Sequence, residues 1–147
     1  MTLHLIKLCV GVDTPRELAE WQADLLKRLA KAGKTPEHCH RTLQTPKRRR
    51  EILDGGSLYW VIKGFVLVRQ RVIDLRDDMK RDGRSCCGIV LDRELVATRP
   101  QPRRAFQGWR YLEAADAPPD AKGFDEEAEA IPRAMREELR ELRLIDW

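Results

Sequence analysis

The chain has 147 residues, 42% apolar, 35% charged and 6% aromatic, the size of one compact domain, which excludes fibrous, collagen-like and disulfide-scaffold classes. Its formal charge of +4 hides an asymmetry: residues 1–112 carry 23 basic and 13 acidic side chains, whereas residues 113–147 carry 5 and 11. A basic β-rich body, 1–112, and an acidic helical segment, 113–147, within a single domain, 1–147, suggest a polyanion-binding face and a tail available to a protein partner.

Leu3–Val10 is a short, mainly apolar run closed by Gly11, and it predicts a strand that lies centrally in its sheet. Thr14-Pro15-Arg16-Glu17 predicts a helix start, with Thr14 as N-cap, Pro15 at the first helical position and Glu17 completing a capping box. Leu18, Trp21, Leu25 and Leu29 follow at helical spacing as the inward stripe, and Gly33 ends the helix. His38–Leu43 predicts a short strand, and Pro46–Leu53 predicts one or two helical turns ended by Asp54-Gly55-Gly56.

The strongest β signal comes next. Leu58, Trp60 and Ile62 alternate with Tyr59, Val61 and Lys63, which turns Trp60 inward and leaves Tyr59 as an outward ring. Lys63-Gly64 supplies a tight turn into Phe65–Leu75. Strict alternation there groups Val66, Val68, Gln70, Val72 and Asp74 against Phe65, Leu67, Arg69, Arg71 and Ile73. After the Asp82-Gly83 turn, Ser85–Leu91 returns as a third antiparallel strand, and Glu94–Thr98 adds a short edge. Pro100 and Pro102 keep the chain extended, and Phe106–Leu112 enters a last strand. Pro132 opens a C-terminal amphipathic helix with Met135, Leu139 and Leu142 inward, and Trp147 docks the end. The expected class is α+β: a small antiparallel sheet or open β-barrel flanked by an N-terminal and a C-terminal helix.

Cys9, Cys39, Cys86 and Cys87 fit no secreted framework, so reduced thiols and a cytoplasmic location are expected. Leu3–Val12 is interrupted by His4 and Lys7 and does not read as a signal core. No apolar run reaches the length of a membrane span, so no membrane association is expected.

The densest chemical feature is basic. Arg41, Lys47, Arg48, Arg49 and Arg50 fall within ten residues, followed by Arg69, Arg71, Arg99, Arg103, Arg104 and Arg110. Guanidinium groups bind phosphate oxygens in pairs of hydrogen bonds, and displaced counterions drive the association. Phe106, Trp109 and Tyr111 interleave with them, the arrangement in which bases stack while phosphates are held. Gln70, between Val68 and Val72, needs hydrogen-bond partners, from the protein or from a ligand base. His38 and His40 share a strand face that excludes Cys39, and no CxxC or HxxxH spacing occurs, so neither metal nor cofactor is expected. Phosphate-loop, dinucleotide and GxSxG motifs are also missing.

At Pro46-Lys47-Arg48, Leu53–Gly64, Arg69-Gln70-Arg71, Phe106–Leu112 and Asp116–Asp120, the chain resembles an uncharacterised alphaproteobacterial family with a domain of unknown function. That resemblance spans nearly the full length and implies an intracellular bacterial protein. More remotely, a short basic helix, a Gly-led strand and a meander are similar to PUA and ASCH-like pseudobarrels, a likeness that implies binding of RNA or modified bases.

Together these features predict a module that binds RNA or a nucleotide-containing ligand. Arg48, Arg49, Arg69, Arg71, Arg104 and Arg110 would neutralise phosphate, Tyr59 and Trp109 would stack, and Gln70 and Gln107 would read bases. The alternative is a small enzyme on a phosphorylated or nucleotide substrate, with His40 or a cysteine as its reactive group.

Overall fold

A computed structural model describes residues 2–80 and 82–121. Seven strands form one mixed sheet: β1 (Leu3–Leu8), β2 (His38–Thr42), β3 (Ser57–Ile62), β4 (Phe65–Met79), β5 (Ser85–Leu91), β6 (Val96–Pro102) and β7 (Trp109–Glu113). Their order is β2-β5-β4-β3-β1-β7, with β6 continuing the β5 edge along the first part of β4. The sheet is open and is not closed into a barrel. Its helices are α1 (Pro15–Lys31) and the five-residue α2 (Arg49–Leu53). The predicted C-terminal helix lies outside the described residues.

Local chemistry explains most element ends. Thr14 Oγ1 accepts the Glu17 N–H, and the Glu17 carboxylate accepts the N–H of Asp13, so the capping box closes one residue earlier than its usual form. Lys63 and Gly64 both take positive φ, 50° and 88°, the mirror-image turn whose twist suits a hairpin. The three-stranded meander β3-β4-β5 is present as expected. An all-antiparallel sheet is not: β1 runs parallel to β3 while pairing antiparallel with β7. The chain between β1 and β3 holds α1, β2 and α2, long enough for the crossover a parallel pair requires.

Two irregularities bend β4. Trp60 pairs with Val68 but Val61 pairs with Val66, which leaves Leu67 as an extra residue; Val72 pairs with Leu91 and Asp74 with Val90, which leaves Ile73 extra. Each bulge reverses the side-chain alternation beyond it. Val66 and Val68 therefore enter different clusters, Leu75 is buried, Asp74 turns to the surface and Ile73 is 56% exposed. The grouping predicted from strict alternation fails at these points for that reason.

Both faces of the central strands are covered. One cluster gathers Leu3, Leu5, Leu18, Ile52, Leu58, Trp60, Ile62, Phe65, Val68 and Ile89. The other gathers Ile6, Tyr59, Val61, Val66 and Leu112, with Phe106 and Ala117 packed on it. The second cluster corrects the expectation for Tyr59: its ring does lie opposite Trp60, yet it is only 4% exposed. Trp21 is corrected in the other direction, at 53% exposed. The buried stripe of α1 runs through Leu18 and Gln22, one position round the helix.

Gln22 docks α1 on the sheet. Its amide exchanges two hydrogen bonds of 2.9 Å with the amide of Gln70. Gln70 Oε1 also accepts the Trp60 indole N–H at 2.8 Å, and Gln70 Nε2 donates to the Asp92 carbonyl at 3.0 Å. Among the described residues, no helix is long and apolar enough to cross a membrane.

Candidate functional site

Strands β2 and β7 end the sheet on opposite sides and do not pair with each other. Side chains bridge the gap between them. Trp109 Nε1 donates to the Gln44 carbonyl at 2.8 Å, and the Tyr111 hydroxyl accepts the N–H groups of Lys47 and Arg48 at 3.0 and 3.2 Å. The two rings meet edge to face at 4.8 Å. The segment after β2 is thus tied to β7, and a cleft opens beside the tie.

That cleft has a volume of about 550 Å3 and is lined by Lys7, Arg41, Lys80 and Arg110, together with Gln44, Gln107, Gly108 and Trp109. No carboxylate is among its described lining residues. Arg41 donates to Asp78 at 2.8 Å, whereas among the described residues Arg110 meets the carbonyls of Gln107 and Trp109 and the face of Phe106. Burial alone pushes the Lys7 ammonium below its ordinary pKa, the mark of a cation held without a counter-charge. Gly108 takes a φ of 69°, which brings the chain round the rim without a side chain.

Three of the sequence-predicted residues, Gln107, Trp109 and Arg110, meet here. The others do not join them. Arg48 is held by Glu51 at 2.6 and 2.8 Å and lies over the Tyr111 ring. Arg49 pairs with Asp74 at 2.8 Å. Arg69 grips both oxygens of Asp120 at 2.8 Å and donates to Ser57, which fastens the chain after β7 to the sheet. Arg71 and Arg104 are exposed and make no ion pair among the described residues. Gln70 is 0% exposed with both amide atoms engaged, so it cannot read a base, and buried Tyr59 cannot stack on one. Their roles are structural: alternation identified their faces but gave no sign that both faces would be covered.

Sequence reasoning counted Arg41 and Arg110 in one basic feature but missed Lys7 and Lys80 as their partners. The four lie far apart in sequence, on β1, on β2, after β4 and on β7, and only the fold brings them together. Lys7 had one available signal, a cation inside the otherwise apolar Leu3–Leu8 run.

The thiols and imidazoles are quiet by contrast. Burial pushes Cys9 up to about 11 and raises Cys39 and Cys87, so these thiols stay protonated. Burial, aided by Lys7, pushes His40 down to about 4. Among the described residues, no three His, Cys, Asp or Glu side chains come together to hold a metal ion.

No curated protein and no solved structure matches the chain. A family model described as a protein of unknown function, DUF1489, matches residues 5–145, and the chain belongs to that family.

Proposed function

We propose that the protein binds a phosphate-bearing ligand, RNA or a nucleotide, in the cleft between β2 and β7. One observation carries the reading: four cations from four separate segments converge on a cleft whose described lining holds no carboxylate. Bringing like charges together costs free energy, and a bound polyanion offsets that cost. Arg41 and Arg110 supply planar donors for phosphate oxygens, Lys7 and Lys80 supply point charges, Trp109 offers an aromatic wall and Gln107 an exposed amide. This is the ligand class implied by the remote likeness to PUA and ASCH-like domains, and it suits a protein of the bacterial cytoplasm.

The chemistry of Cys9, Cys39, Cys87 and His40 supports binding over catalysis. A nucleophilic cysteine needs a thiolate and a general acid needs a proton to give, and burial opposes both charged forms here. The test is a titration of intrinsic tryptophan emission with short single-stranded RNA and with mononucleotides at low and high salt. Binding at low salt that weakens steeply at high salt is expected, with emission changing as ligand reaches Trp109. Absence of binding to every probe at low salt would overturn the proposal.

A further inference from the structure

The cationic cleft is closed at one end. Gln44 and Trp109, both in its lining, are joined by the 2.8 Å hydrogen bond from the indole N–H to the Gln44 carbonyl. Behind that bond the Tyr111 hydroxyl takes the N–H groups of Lys47 and Arg48, and the Tyr111 ring stands against Trp109 at 4.8 Å. Leu5, which pairs with Tyr111 across β1 and β7, is wholly buried, so the core lies beneath this wall. Lys7 pairs with Trp109 in the same register, which puts its half-buried side chain on the face that carries the Trp109 ring. An RNA strand that follows the gap between β2 and β7 towards Gln44 meets that wall and cannot run on.

Size and charge point the same way. The cleft, at about 550 Å3, falls in the range of about 300–1,000 Å3 for a site that encloses one small ligand, whereas grooves that track a single strand hold about 4–16 nucleotides. A strand passing through brings one negative charge per nucleotide. A terminal phosphomonoester brings about two at pH 7, and the diester next to it adds a third. Lys7, Lys80 and Arg110 are three cations without an ion pair among the described residues, while Arg41 is shared with Asp78. That balance matches a strand end better than a strand interior. Arg110 is also held in place for the contact: its Nη1 donates to the carbonyls of Gln107 and Trp109, and the guanidinium lies 5.5 Å from the centre of the Phe106 ring. Neither hydrogen bond uses Nε or Nη2, the edge from which a guanidinium gives a phosphate paired bonds.

We propose that the cleft binds the end of an RNA strand through its terminal phosphomonoester, with Lys7, Lys80 and Arg110 on that phosphate and the adjoining diester, and the end base against Trp109. The proposal rests on the reading of this cleft as a phosphate site and names the part of the nucleic acid that it takes. A free mononucleotide carries the same dianionic group, and the experiment separates the two sources.

The experiment measures the affinity of the full chain, at low salt, for one short single-stranded RNA sequence in four forms: 5′-phosphorylated, 3′-phosphorylated, with hydroxyls at both ends, and closed into a circle. Uridine 5′-monophosphate and uridine serve as competitors. One of the phosphorylated forms is expected to bind about tenfold more tightly than the hydroxyl-ended form, the scale of a charge-assisted hydrogen bond, and the circle no more tightly than the hydroxyl-ended form. Uridine 5′-monophosphate is expected to compete more weakly than the preferred strand, because it lacks the adjoining diester, and uridine is expected not to compete. Lys7→Gln is expected to cut the preference for the phosphorylated end to about threefold or less. Should that half-buried position not tolerate glutamine, Arg110→Gln at the exposed rim is expected to do the same. Equal affinity for phosphorylated, hydroxyl-ended and circular forms would overturn this proposal and leave the cleft standing as a phosphate site, whereas no binding of any probe would overturn both. A mononucleotide that competes as well as the preferred strand, or an unchanged preference in both variants, would also overturn it.

Discussion

Gln70 makes four hydrogen bonds with three partners and is itself wholly buried. Replacing it by Leu keeps approximate volume but strands the Trp60 N–H, the Gln22 amide and the Asp92 carbonyl. The expected loss is about 2–4 kcal/mol, read from urea unfolding, and a loss below about 1 kcal/mol would contradict the network. His40 leads to a pH prediction. Its proton is taken up near pH 4 in the folded protein but near the ordinary 6.5 when unfolded, so the unfolded chain binds it first as pH falls. Stability from this group is full above about 6.5 and declines towards 4, and burial of His4 and His38 acts in the same direction. A loss of about 1–2 kcal/mol between pH 7 and pH 5 is expected in urea midpoints. Unchanged stability over that window would contradict it. The need of Gln70 for partners was legible from its apolar neighbours, but Gln22 was hidden. On a helical stripe, Trp21 is the more apolar choice, and only the reciprocal amide pair makes the adjacent residue the inward one.

At the scale of elements, β4 shapes the molecule, because its bulges at Leu67 and Ile73 turn a long strand into a bent one shared by β3, β5 and β6. Gly56 sets the start of β3. A Cβ there would meet the carbonyl oxygens of Leu3 and Ile52, backbone on both sides with no flexible side chain to yield. Gly56→Ala is therefore expected to cost about 2 kcal/mol or more, seen as a lowered thermal midpoint, and a wild-type midpoint would refute the close approach. Strand positions, the Lys63-Gly64 turn and the Thr14 cap were readable because each depends on neighbours within a few residues. The bulges were not, because an extra residue is defined by register with another strand. The parallel pairing of β1 with β3 was hidden for the same reason.

For the whole molecule, the basic charge sorts into two populations with different work. Arg48, Arg49 and Arg69 are committed to carboxylates and hold segments together, while Lys7, Lys80 and Arg110 have no carboxylate partner among the described residues. Clustering along the sequence pointed to Arg48 and Arg49, which stand among five basic residues within ten. Convergence in space adds Lys7 and Lys80 to Arg110, which no spacing rule reveals. The most direct measurement is the salt dependence of RNA affinity for the wild-type protein beside Lys80→Ala/Arg110→Ala and Arg49→Ala. Phosphate contacts by Lys7, Lys80 and Arg110 predict a slope of log K against log salt near −2 for a single strand; losing two of these cations lowers its magnitude by about 1.4, and Arg49→Ala leaves it unchanged. Equal slopes for the wild type and the double variant, or a loss confined to Arg49→Ala, would contradict the cleft as the binding site.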